Sequence, residues 1–119
     1  MGFDALIIGG GVSGLQCALV LGSAKNKAFV IDKKIGIIVH QKASHLQNAL
    51  FNNVLGLPEK TIGKNLLIEG RQQLSSLYPA ISQIENEKVI AVTDTVGGYM
   101  VRTNKNTYTS KIVIIALNY

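Results

Sequence analysis

The first thirty-two residues constrain this chain more than any other stretch. An apolar run, Ala5 to Ile8, leads directly into Gly9-x-Gly11-x-x-Gly14, and Val12 to Ala24 follows with the spacing of a helix. A second apolar run, Ala28 to Ile31, ends on the acid Asp32. Strand, glycine turn, helix, strand and acid, in that order, predict a βαβ unit of the dinucleotide-binding kind.

Each glycine has its own physical task in such a unit. Gly9 lets the chain turn tightly out of the strand, Gly11 lets a pyrophosphate approach the backbone, and Gly14 lets the helix pack close to the strand. The helix N-terminus at Val12 and Ser13 offers N–H groups and partial positive charge to phosphate oxygens. Asp32 lies 18 residues past Gly14, where a carboxylate can accept hydrogen bonds from both ribose hydroxyls. The plainer alternative is a glycine turn kept for steric reasons alone. The register of strand, helix and acid favours the site.

The remaining composition narrows the class. A chain of 119 residues with 47% hydrophobic side chains predicts one domain, residues 1–119, with a real core. No apolar run approaches the length that spans a membrane, and no basic leader precedes an apolar stretch. The net charge of +5 comes from lysines scattered along the chain, without the basic runs and interleaved aromatics of a nucleic-acid binder. Cys17 is the only cysteine, so no internal disulfide or CxxC pair forms, and a reducing, cytoplasmic setting fits.

Along the chain, Leu15, Ala18, Leu19 and Gly22 share one face of the first helix. Ile35 to Val39 reads as a short strand or a buried connector. Gly63 to Tyr78 reads as a second helix, with Leu66, Leu67, Gly70, Leu74, Leu77 and Tyr78 on one face and Pro79 as its stop. Strands follow around Ser82–Ile84, Lys88–Asp94, Tyr99–Thr103 and Thr107–Ser110, with turns at Gly97-Gly98 and Asn104–Asn106. Ile112 to Ala116 is apolar without alternation, as in a strand covered on both faces.

This order of elements resembles the FAD-binding domain of the thioredoxin reductase-like family of FAD-dependent pyridine nucleotide-disulfide oxidoreductases. The resemblance covers nearly the whole chain. It is carried by IIGGGVSGL at 7–15, VID at 30–32, NVLGLPEKTIGKNLL at 53–67 and SKIVIIALNY at 110–119. It implies a Rossmann-like, three-layer α/β fold with a parallel sheet, two helices and a three-stranded β-meander. It places the FAD pyrophosphate on Gly9, Gly11, Val12, Ser13 and Gly14, and the adenosine ribose on Asp32. Asn53 and Gly56 fall in the segment near the flavin ring, and Val89 falls where the family's backbone meets adenine.

The chain also departs from the family. Ala116-Leu117-Asn118 stands where the family has Ala-Thr-Gly, and Gln41 to Ser44 stands where it has a glycine-rich flavin loop. The family's NADPH domain, CxxC pair and returning Gly-Asp segment have no counterpart among these residues.

Other constellations have plainer readings. His40 and His45, five apart in an irregular stretch, read as surface histidines rather than metal ligands. Glu85 and Glu87 read as a solvated edge. Ser13 lacks a nucleophile elbow and a placed His/Asp partner, so it is no hydrolase nucleophile. The expectation is therefore a truncated FAD-binding portion of a longer flavoprotein, an oxidoreductase only within the intact protein, with NAD(P)H as electron donor at a site elsewhere. The alternatives are a flavin-free mini-domain acting by binding or assembly, and a plain NAD(P)-binding module. With the apolar strand Ile112–Ile115 at a sheet edge, a homo-oligomer is expected.

Overall fold

The computed structural model describes residues 2–27, 30–40, 50–51 and 61–116. Two helices lie on one face of a mixed six-stranded sheet. In chain order the elements are β1 (Gly2–Ile8), α1 (Val12–Ser23), β2 (Ile35–Val39), β3 (Leu50–Phe51), β4 (Thr61–Ile62), α2 (Gly63–Leu77), β5 (Ser82–Glu85), β6 (Val89–Thr95), β7 (Gly98–Thr103) and β8 (Thr107–Ile115). The sheet order is β5-β2-β1-β8-β7-β6, and β3 pairs with β4 separately. Strands β5, β2, β1 and β8 run parallel, whereas β6, β7 and β8 run antiparallel in succession.

The second strand is not where the first apolar run suggests. Val30 and Ile31, the described part of the expected strand Ala28–Ile31, lie in a turn, and Ile35–Val39 pairs with β1 from Ala5↔Ile35 to Ile8↔Ile38. The reason is the strand's position. Between β1 and β5 it is covered on both faces, which favours an unbroken apolar run, and all five of its residues are buried. Ile35, Ile37 and Val39 join the core under the helices, and Ile38 joins the core on the opposite face. Gly36 leaves room there, since a Cβ would press on the Phe3 ring at 2.6 Å. Val30 still packs into the helix-side core, but from the turn.

The helices fit each other through small residues. Gly14, Leu15, Ala18 and Gly22 form the buried face of α1. A Cβ at Gly22 would overlap the Tyr78 ring, and one at Gly70 would touch Leu15 at 3.2 Å. Leu67 and Leu74 anchor α2 in the same core, while Leu77, expected on that face, is 51% exposed. Cys17 packs against this core as a small apolar group, and burial raises its thiol pKa, away from thiolate chemistry.

On the other face the antiparallel strands share a core with the parallel ones. Phe3, Leu6, Ile8 and Ile38 pack with Val101 and Tyr108, and Phe3 meets Tyr108 edge-on at 6.1 Å between ring centres. The expected strands Thr107–Ser110 and Ile112–Ala116 are one strand. β8 pairs with β7 over Thr107–Ser110 and with β1 from Thr109 to Ile115. The two-sided cover expected for Ile112–Ile115 is also absent, because Ile112 is 57% and Ile115 62% exposed. β8 lies inside the sheet between β1 and β7, although its pairing with β7 ends at Ser110.

Glu87 corrects a second expectation. Rather than a solvated edge, it is 6% exposed. Its backbone N–H donates to the Val39 carbonyl at 3.3 Å. Its carboxylate accepts from the Thr103 hydroxyl at 2.6 Å, the Asn106 amide at 3.3 Å and the Tyr108 hydroxyl at 2.8 and 3.0 Å. Residue 87 thereby ties the β7–β8 turn to the end of β2. Burial alone would raise its pKa, but these hydrogen bonds and the nearby Lys105 charge outweigh it and hold the carboxyl below its ordinary 4.5. Burial and the bond to Glu87 in turn push the Tyr108 phenol up.

A carboxyl lowered in the folded state adds stability above its unfolded pKa and loses that contribution as pH falls through the folded value. Wild-type stability should therefore fall below about pH 4.5, and Glu87→Gln should flatten that part of the acid limb. Glu87→Ala, which strands three donors, should cost about 2–4 kcal/mol at neutral pH. Urea midpoints measured from pH 3 to 7 check both.

Candidate functional site

Where β1 ends, backbone packs directly on backbone. Gly9 has φ +122°, a conformation that favours glycine. A Cβ on Gly9 would overlap the carbonyl of Ala116, and one on Gly14 would overlap the carbonyl of Gly9. The turn is also held by the Gly9 N–H donating to Ile38 at 3.1 Å and the Ala116 N–H donating to Ile8 at 2.8 Å. The tasks expected of Gly9 and Gly14 thus have a physical basis inside the chain. Gly10, which the glycine spacing leaves unassigned, is equally constrained: a Cβ there would run into the Val39 side chain.

Gly11 caps α1 at φ −80° and ψ −167°, extended backbone open to any residue. Its carbonyl accepts the Leu15 N–H at 3.0 Å, the first α-helical bond of α1. The N–H groups of Val12, Ser13 and Gly14 precede that bond and point out along the helix axis. Among the described residues no side chain caps this end, and the first turn has no acid. Val12 and Ser13 are exposed. The end of α1 therefore presents donors and positive potential that the helix does not neutralise from its own first turn.

The structure brings Gly9, Gly11, Val12, Ser13 and Gly14 together in this turn. It does not bring Asp32 to them. Asp32 is exposed, at φ +62°, in the turn that precedes β2. The nearby Lys34 carbonyl accepts from Asp4 at 2.8 Å, and the Lys34 N–H donates to the Asp4 carboxylate at 2.7 Å. That carboxylate also pairs with Lys111 at 3.5 Å. Asp4 lies near the start of β1 and Gly9 just past its end, roughly 16 Å apart at 3.3 Å per strand residue. Asp32 sits at the Asp4 end because β2 forms later in the chain than the sequence pattern suggests.

His40 instead follows the last residue of β2 and is half-buried. Val39 touches the turn at Gly10 and accepts the Glu87 N–H, so the β5–β6 connection reaches the same sheet edge. Val89, two residues beyond Glu87, begins β6 and packs on the core opposite the helices. Asn53, Gly56 and His45 lie outside the described residues. Among the described residues no cluster of three or more His, Cys, Asp or Glu side chains could hold a metal, and no helix is long and apolar enough to cross a membrane.

No protein-family model matches the chain, and no curated protein is matched. Solved structures do match. An oxidoreductase from Agrobacterium tumefaciens superposes with a TM-score of 0.80 at 26% identity, over 98% of this chain and 37% of that one. A thioredoxin reductase from T. acidophilum gives 0.74 at 24% identity, over 96% and 34%. A ferredoxin-flavin thioredoxin reductase from Clostridium acetobutylicum gives 0.71 at 26%, over 97% and 37%. The chain shares its fold with thioredoxin reductases. It spans about a third of their length, and the similarity in sequence is distant.

Because backbone atoms occupy the space, Gly9→Ala and Gly14→Ala should each destabilise the fold by about 2 kcal/mol or more. Gly11→Val should leave its backbone conformation unstrained. Thermal melts of the three variants check this ordering. Equal stability of Gly9→Ala and the wild type would contradict the contact with Ala116.

Proposed function

We propose that this chain is a dinucleotide-binding module whose glycine turn holds the diphosphate of an ADP moiety, with FAD as the cofactor. The observation that carries this reading is the N-terminus of α1, uncapped by any described side chain and closed beneath by Gly9 and Gly14, in a fold shared with thioredoxin reductases. Val12, Ser13 and Gly14 would donate backbone N–H groups to phosphate oxygens, and Gly11 would let those oxygens come close. Val89 would meet adenine with its backbone, and the Asn53 segment would lie toward the flavin.

Bound FAD would supply two-electron transfer, the chain supplying binding and orientation. Within a thioredoxin reductase-like oxidoreductase, reduction by NAD(P)H and delivery of electrons to a substrate would fall to the larger part of such proteins that this chain does not match. This chain would bind cofactor without turnover. The outer edge of β8 beyond Ser110, with Ile112 and Ile115 exposed, is the surface on which another chain would add.

A second reading, a flavin-free module acting by binding or assembly, draws on two observations. The Ala116 backbone gives Gly9 a sufficient structural reason, and Asp32 stands away from the turn.

Titration calorimetry separates the readings. FAD should bind at least about tenfold more tightly than NAD or NADP, and Gly11→Val should weaken FAD and ADP by about tenfold or more while its circular dichroism remains that of the folded chain. Equal affinities for FAD and NAD would favour the plain nucleotide module. Absence of binding, or indifference to Gly11→Val, would favour the flavin-free one.

A further inference from the structure

A dinucleotide fold of this type reads the adenosine sugar at the end of its second strand, where an acid selects the free 2′-hydroxyl and a cationic residue accommodates a 2′-phosphate. Here β2 ends at Val39. Its nearness to the glycine turn is direct: Ile38 accepts the Gly9 N–H at 3.1 Å, and the Val39 side chain fills the space above Gly10. The next residue is His40. Asp32, the acid that the sequence pattern offers for the task, is held at the other end of the sheet by the turn into Lys34 and the Asp4–Lys34 backbone pairing.

The described carboxylates nearby have other positions. Glu87 is buried and fully engaged by Thr103, Asn106 and Tyr108. Glu85, in register with Val39 on the outer strand β5, lines an open groove of about 300 Å³ with Arg71 and Gln72 of α2.

We propose that His40, not an acid, is the sugar-facing residue of the nucleotide site, so that the site accepts adenosine with a 2′-phosphate as readily as adenosine with a free 2′-hydroxyl. This rests on the nucleotide-binding reading above. An imidazole can donate a hydrogen bond to a sugar hydroxyl or to a phosphate oxygen, whereas a carboxylate would repel the second phosphate. His40 is then a specificity-determining residue, and Asp32 has no part in nucleotide choice.

Calorimetric titration of the wild-type chain with ADP-ribose and with 2′-phospho-ADP-ribose tests this. The two affinities should agree within about threefold, and His40→Asp should shift the ratio about tenfold or more toward ADP-ribose. Asp32→Asn should leave the ratio unchanged. Asparagine tolerates the positive φ at that turn, so the variant should retain its circular dichroism. A wild-type preference for ADP-ribose of about tenfold, abolished by Asp32→Asn, would overturn the inference and leave the nucleotide reading intact. A ratio indifferent to His40→Asp would do the same. Binding of neither probe would overturn both.

Discussion

The fold depends on a backbone contact at the end of β1. There the carbonyl of Ala116 fills the place of a Gly9 side chain, and the carbonyl of Gly9 fills the place of a Gly14 side chain. Three segments distant or near in sequence thus meet without intervening side chains: the end of β8, the turn, and the first turn of α1. The contact sets how deeply α1 sits on the sheet. That depth decides where the helix N–H groups emerge, and hence whether an anion can reach them. Structural and functional demands on these glycines coincide, so a glycine pattern alone cannot separate them.

A second constraint shapes the opposite face. The antiparallel strands continue the sheet through β8 and pack on the face opposite the helices, where they share a core with Phe3, Leu6 and Ile38. Glu87 closes this arrangement. Its backbone holds the end of β2 and its carboxylate gathers the β7–β8 turn. Because β2 also touches Gly10 through Val39, the buried carboxylate and the glycine turn are two contacts removed. Loss of the Glu87 network would therefore loosen the sheet edge on which the candidate site is built.

Much of this was legible in the sequence, for identifiable reasons. The β1–turn–α1 unit stood out because sterics leave few residues other than glycine at Gly9 and Gly14. The second helix, Gly63–Leu77, was visible from its spacing and from Pro79. What escaped was decided by tertiary neighbours. Two apolar runs, Ala28–Ile31 and Ile35–Val39, compete for one strand position, and the run that takes it brings Gly36 against the Phe3 ring from 33 residues away, a contact invisible in local spacing. Glu87 looked like a surface acid because its three partners lie 16 to 21 residues further on. The break between Thr107–Ser110 and Ile112–Ala116 was inferred from a change in hydropathy that marks only a change of neighbour along one strand. The misplacement of β2 is the most consequential of these, since it moves the acid away from the candidate site.

The central claim is that the glycine turn and the end of β2 form one nucleotide site. Backbone amide shifts of the ¹⁵N-labelled chain, followed by NMR through a titration with ADP, test it most directly. The account predicts saturable shifts at Gly9 to Leu15 and at His40, with Asp32 and Lys33 unmoved. Shifts centred on Asp32, or none in the turn at saturating ADP, would contradict it.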